Sequence, residues 1–279
     1  MIDIGVNLSS KLLQNKQGLS EIEALEQLVA TSRTNGMTAL VAIGTNLKQS
    51  LKAVEFARLH PDFIYATAGV HPHDAKDLDE AGKKGLASLI EAPEVVAVGE
   101  MGLDFNRNFS PPLIQEDVFS FQLELNKGQR KPLYLHERDA IDRQLDILEA
   151  HRQHFESGVV HCFTGNKDSL RRYLDFGLYI GITGWVCDER RGNDLVEAIP
   201  YLPLDRLLVE TDSPYLLPRT LRPKPKNGRN QPWYVKEVIQ KIAEIKQMDI
   251  LEVENITSRN ARELFTVGKT RPGSANEAI

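Results

Sequence analysis

Eight short runs dominated by apolar, often β-branched residues recur along the chain: MIDIGVNL (1–8), TALVAIGT (38–45), FIYATAGV (63–70), EVVAVGE (94–100), KPLYLH (131–136), GVVHCF (158–163), LYIGITG (178–184) and RLLVETD (206–212). Longer stretches with helical spacing lie between them. Ile22, Leu25 and Val29 form one such set, Ile114, Val118, Phe121 and Leu125 a second, and Val235, Val238, Ile239 and Ile242 a third. This spacing puts apolar residues on one helix face. SPP at 110–112 reads as a helix start, with Ser110 as N-cap and proline in the first turn. Near-continuous apolar strands suit a parallel sheet buried on both faces. Eight strand–helix repeats in 279 residues favour an α/β fold of the closed (β/α)8 kind, a TIM barrel, over an open doubly wound sheet. No glycine-rich phosphate loop follows the first run, which weakens the dinucleotide-binding alternative. The expectation is a single domain over 1–268 with 269–279 as a loose tail.

Composition narrows the class. Hydrophobic residues make up 41% and charged residues 26%, as in soluble globular proteins. No run reaches the ~18 apolar residues of a membrane span, and MIDIGVNLSS has no signal-peptide pattern. A cytoplasmic protein without membrane attachment is expected. Cys162 and Cys187 make neither a disulfide framework nor a zinc spacing. The net charge of −5 argues against an overall basic coat but leaves a local basic surface open. No obligate protein partner is evident.

Active sites of such barrels lie at the C-terminal strand ends. The third run ends in GVHPH, with His71 and His73; the fourth in Glu100; the fifth in His136; the sixth carries His161; the eighth ends in Asp212. Four of the seven histidines fall here. Singly, each has a structural reading: a core histidine, a loop hydrogen bond, or, for Asp212 in ETDSP, a turn opener. Jointly, two carboxylates converging on one small space would repel and shift each other's pKa, and a cation resolves this. Imidazole with carboxylate suits zinc, manganese and related divalent ions. Such an ion lowers the pKa of water, and a nearby carboxylate can take the proton.

At these residues the sequence resembles a known family. GVHPH, VGEMGLDF, HERDA, VVHCFTG and LLVETDSPYLLP are similar to the signature blocks of the TatD family of metal-dependent deoxyribonucleases, amidohydrolase-like barrels, in order and spacing from residue 1 to about 265. GITGWVCDERRG (181–192) and GLDFNRNFS (102–110) look closer still, to the branch that gives the family its name. The resemblance implies Glu100 as a bridging metal carboxylate, His136 and His161 as imidazole ligands, Asp212 as ligand and proton acceptor, and His71 as a partner for a phosphate or leaving oxygen. One block departs from the pattern. Where most members carry Asp-x-His-x-His, this chain has Gly5 and Asn7. Glycine cannot ligate, and an asparagine carbonyl is a weak ligand for a hard ion. One tight and one weak metal site are therefore expected, with magnesium as the working ion and manganese or zinc as alternatives.

Cations cluster on the loops: Arg107, Arg138, Lys167, Arg190 and Arg191, then Arg219, Arg222, Lys224, Lys226 and Arg229 in the acid-free PRTLRPKPKNGRN (218–230). This reads either as a solvated loop or as a phosphate-tracking surface. His73, Arg138, Arg191 and Arg219 are the expected substrate contacts. Trp185, Phe105 and Tyr215 offer stacking faces for bases, although Phe105 and Tyr215 also suit packing. The first expectation is hydrolysis of single-stranded DNA, or RNA, with 3′–5′ polarity implied by the resemblance. The second is an ester or amide hydrolase such as a D-aminoacyl-tRNA deacylase. The third, a non-catalytic metal-binding module, conflicts with the intact ligands at strands four to eight.

Overall fold

The computed structural model describes residues 1–13 and 18–268. The tail expected at 269–279 lies outside the described residues. Eight parallel strands, β1 Ile2–Val6, β2 Ala39–Ala42, β3 Ile64–Ala68, β4 Val95–Asp104, β5 Leu133–Arg138, β6 Gly158–Val160, β7 Tyr179–Ile182 and β8 Leu207–Val209, pair in sequence order. An isolated bridge between Val6 and Ser213 brings the last strand round to the first. The fold is a nearly closed (β/α)8 barrel of one domain, as the strand count required. The helices that cover it are α1 Ser10–Leu13, α2 Glu21–Thr34, α3 Leu47–Leu59, α4 Glu80–Ile90, α5 Pro112–Leu125, α6 Ile141–Ala150, α7 Lys167–Asp175, α8 Asn193–Ala198, α9 Val235–Lys246 and α10 Ile250–Phe265.

The helical spacing holds best in α9, whose Val235, Val238, Ile239 and Ile242 are all buried, while Ile22 and Ile114 at helix starts are exposed. Ser110 is not a cap. The N-cap of α5 is Pro111, and the Ser110 hydroxyl is spent on Lys76 N and His73 O, tying the β3 loop to the β4 loop. Strands six and eight are shorter than their apolar runs. Cys162 and Asp212 take left-handed φ of 48° and 55°, which no strand continues through.

β4 is longer than its apolar run and irregular within it. Gly99 pairs with Tyr134 and Met101 with Leu135, so Glu100 between them has no partner on β5. Its amide donates instead to Gly44 O at 2.8 Å. Gly99 and Gly102 have φ of 138° and 137°, and a Cβ on Gly102 would overlap His136 O. An unpaired residue of this kind re-aims its side chain. Here that turns a carboxylate from an apolar strand into the barrel mouth.

Candidate active site at the barrel mouth

A cavity of about 400 Å³ opens at the C-terminal strand ends, and Glu100, His136, His161, Asp212, His71, His73 and Arg138 all line it. Glu100 Oε1 is the centre of the cluster: His136 Nδ1 lies 3.0 Å away, His71 Nε2 3.3 Å and His161 Nε2 3.7 Å. Burial works against the Glu100 carboxylate, yet the surrounding imidazoles hold its pKa well below the usual range.

Each of two imidazoles has a carboxylate behind it. His161 Nδ1 is 2.7 Å from Glu210 Oε2, which also accepts from Tyr134 Oη at 2.7 Å. Glu210 Oε1 accepts from Cys162 N at 2.6 Å. Nδ1 is therefore tied to Glu210, and the Nε2 of His161 faces Glu100. His136 has the opposite orientation. Its Nδ1 faces Glu100, and its Nε2 lies 3.5 Å from Asp104 Oδ2, an ion-pair distance rather than a hydrogen bond. Asp104 also holds His73 Nε2 at 2.6 Å and accepts from Asn106 N and Arg107 N. Burial lowers the basicity of both rings, but the carboxylates outweigh it, raising His136 to about 9 and His161 to about 10.

His71 differs from both. It caps the 3-10 turn Pro72–Asp77, and its Nδ1 accepts from His73 N at 3.0 Å. Burial lowers its pKa, so the ring is neutral with its proton on Nε2. That proton points at the Glu100–His136 pair. Although His71, Glu100 and His136 form a compact group of potential ligand atoms, a protonated Nε2 has no lone pair to give a metal.

Asp212 comes from the β8–β1 seam. Burial raises its carboxyl to about 7, the His161 charge opposing. Its Oδ1 accepts from Asn7 Nδ2 at 2.7 Å, and its Oδ2 has no hydrogen-bond partner among the described residues. Gly5 is where room is made. A Cβ there would overlap Glu210 Oε2 and stand 2.6 Å from Tyr134 Oη.

The arginines separate. Arg138 lines the cavity. Arg191 lies with its guanidinium 4.5 Å from the ring centre of the cavity-lining Trp185 and pairs with Asp188. Arg219 is held by Glu189 at 2.7 Å and is not among the lining residues. Cys162 and Cys187 are free thiols. Asp104, Glu210 and Tyr134 were not foreseen as site residues. Strand parity was the available signal: Glu210 and Asp212, like Tyr134 and His136, are two apart and share a face.

A polar cavity at a barrel mouth, walled by a buried carboxylate and two imidazoles with carboxylates behind them, is the site of a hydrolase barrel able to hold a divalent metal. The family assignment follows from comparison. A family profile described as TatD related DNase matches residues 2–266, and the chain belongs to that family. It is 46% identical over 265 residues, 95% of this chain and 99% of the relative, to the 3′-5′ ssDNA/RNA exonuclease TatD of Edwardsiella piscicida. It is 43% identical over 267 residues to the protein of the same name from Salmonella typhimurium, covering 96% and 99%. Among solved structures, a TatD family hydrolase from Entamoeba histolytica superposes with a TM-score of 0.84 at 24% identity, covering 95% and 97% of the two chains. A TatD homologue from Escherichia coli gives 0.82 at 24%, covering 95% and 98%. These last two are likenesses of fold.

Proposed function

We propose that this protein hydrolyses the phosphodiester bonds of single-stranded DNA or RNA from the 3′ end, releasing nucleoside 5′-monophosphates. The observation that carries the reading is the meeting of Glu100 with two oppositely oriented imidazoles, in a chain nearly half identical to exonucleases over almost its whole length.

Glu100 Oε1, His136 Nδ1 and His161 Nε2 fit a divalent ion. Their separations of 3.0 and 3.7 Å from the carboxylate oxygen put one carboxylate and two imidazole donors close enough together that they would hold one divalent ion. Magnesium is the expected ion in a cytoplasmic enzyme, with manganese or zinc fitting the same donors. When bound, the ion supplies Lewis acidity toward a phosphate oxygen and makes water a better nucleophile at neutral pH. Asp212 Oδ2, free and with a carboxyl near neutrality, accepts the proton of the attacking water. Asn7 fixes the orientation of that carboxylate. His71 donates its Nε2 proton in a hydrogen bond to the phosphoryl group, stabilising charge as it develops. The P–O bond to the 3′ oxygen of the penultimate nucleotide breaks, and that oxygen leaves as the new 3′ hydroxyl with the proton that Asp212 took from water. Arg138 faces the phosphates from the cavity wall. Arg191 and Arg219, already paired with acids, add to the field of the rim. No observation favours the deacylase reading.

The test is digestion of 5′-labelled single-stranded DNA with magnesium, with EDTA, and with Glu100→Ala. Stepwise shortening from the 3′ end that needs both the ion and Glu100 is expected. Cleavage retained in EDTA or in Glu100→Ala overturns the mechanism.

A further inference from the structure

Two smaller cavities flank the metal-binding one, and they differ chemically. One, of about 240 Å³, lies beside β5 and β6 and is lined by Glu137, Arg138, Asp139 and Thr164. The other, of about 190 Å³, lies beside the ends of β1 and β2 and shares Asn7, Thr45 and Tyr215 with the main cavity. No acidic or basic side chain lines this second one among the described residues.

Several of its hydrogen-bonding groups have no partner among the described residues. Ser9 Oγ is buried without a partner. Asn7 uses its Nδ2 on Asp212, leaving Oδ1. The hydroxyl of Thr45 and the side-chain amide of Gln49 have no hydrogen bond to the described residues. Gln49 engages Asn46 only through its backbone N–H. Buried polar groups are normally paired, which marks the Ser9 Oγ; with the half-buried Asn7, Thr45 and Gln49 beside it, the cavity wall suits a ligand that is neutral and rich in donors and acceptors. Tyr215 supplies an aromatic wall. It is 45% exposed, and Lys11 Nζ sits 4.3 Å from its ring centre.

We infer that the cavity beside β1 and β2 binds the 3′-terminal nucleoside of the substrate, with Tyr215 against the base and Gln49 and Thr45 on its polar edges. This rests on the phosphodiesterase reading above and adds where the chain end goes. Size supports an end rather than a passing strand. The cavity is smaller than the ~300 Å³ at which pockets for whole small molecules begin, so it takes a ring and not a run of chain. Charge supports the side. On the opposite flank Glu137 and Asp139 outnumber Arg138, a poorer setting for a polyanion's end, whereas neutral amides and hydroxyls next to a stacking ring suit a nucleoside. With its nucleoside there, the terminal nucleotide presents its 5′ phosphate to Glu100, His136 and His161.

The test compares three chromogenic diesters: thymidine 5′-p-nitrophenyl phosphate, thymidine 3′-p-nitrophenyl phosphate and bis(p-nitrophenyl) phosphate. Each is run with the parent protein and with Gln49→Ala and Tyr215→Leu in the presence of Mg²⁺ or Mn²⁺. Gln49→Ala keeps the backbone amide that Asn46 caps. The parent is expected to prefer the 5′ ester to the 3′ ester. Each variant is expected to lower the ratio of kcat/KM for the 5′ ester to that for bis(p-nitrophenyl) phosphate by about three- to tenfold, mainly through KM, the worth of a lost hydrogen bond or stack. Preference for the 3′ ester, or an equal loss on both diesters, overturns the subsite while leaving the hydrolase intact. No turnover of any diester by the parent overturns the phosphodiesterase reading and the subsite with it.

Discussion

The barrel mouth is built in two ways. From β4 to β6 the strands are paired except at the Glu100 bulge, and each imidazole of the proposed metal site has a carboxylate behind it, Asp104 for His136 and Glu210 for His161. From β8 to β1 regular pairing thins to one bridge, and side chains do the joining. Asp3 accepts from Thr211 N and Oγ1 and from Gly5 N, and Asn7 holds Asp212. The difference separates two tasks. In the proposed mechanism a metal ligand must be held to within a fraction of an ångström, a task suited to the paired arc. A proton acceptor needs a raised pKa and a free oxygen. The seam supplies both by burying Asp212 at a left-handed φ that its bonded neighbours keep in place.

Separate tasks predict separable losses. His161→Ala should remove the tight ion seen in isothermal titration and lower nuclease activity by at least about 10³-fold, with unchanged far-UV circular dichroism. Asp212→Asn should lower activity by about 10²–10⁴-fold, the range of a lost general base, while leaving the tight ion bound. If Asp212→Asn abolishes tight binding, the seam belongs to the same site as the arc and the division fails. Two equally tight ions in the parent protein would break it from the other side.

A smaller effect tests the support behind the arc. Asp104→Asn keeps the shape of the side chain but removes the charge facing His136 Nε2 and His73 Nε2. Metal affinity should fall by about 10–100-fold, the usual worth of such partners, and Glu210→Gln should act likewise through His161. Unchanged affinity in both would mean that the imidazoles are oriented by packing alone. Gly5→Ala carries the comparison to the boundary between the regions. The added methyl overlaps Glu210 and Tyr134, so the variant should lose about 1–3 kcal/mol of stability in urea titration, as overpacked cores do. A stability equal to the parent's would show that Glu210 has room to move.

The arc was far more legible in the sequence than the seam. Near-continuous apolar runs gave strand number and order, and the polar residues at the run ends, Glu100, His136, His161 and Asp212, are ones the structure brings to a single cavity. The shape of β4 was not legible, because a bulge at Glu100 depends on Gly99 and Gly102 meeting the backbone of β5. Ser110 looked like a helix cap because its local pattern is one. Its hydroxyl went to the β3 loop, which is distant in sequence. In strand one, Gly5 and Asn7 read as lost ligands. That Gly5 makes space for Glu210 from the far end of the chain is a tertiary fact, and only the shared parity of Glu210 and Asp212 hinted at it.

The smallest expected effect concerns the seam alone. Asp3 is fully buried, and burial outweighs its three hydrogen bonds, pushing its carboxyl up to about 8. In the unfolded chain an aspartate titrates near 4. Between these values the folded protein holds a proton that the unfolded chain has released, so this group makes stability fall as pH rises from about 4 to about 8. Asn at position 3 resembles the protonated acid: its carbonyl can receive Thr211 N and Gly5 N, and its amide can donate to the Thr211 hydroxyl. Asp3→Asn should therefore gain on the parent as pH rises, its melting temperature relative to the parent's being higher by several degrees near pH 8.5 than near pH 5. A deficit at both pH values would mean that the seam is closed by a carboxylate charge. Asp3 would then be an ionised clamp on Thr211, and the neutral-amide logic that joins Asn7 to Asp212 would not extend across the rest of the seam.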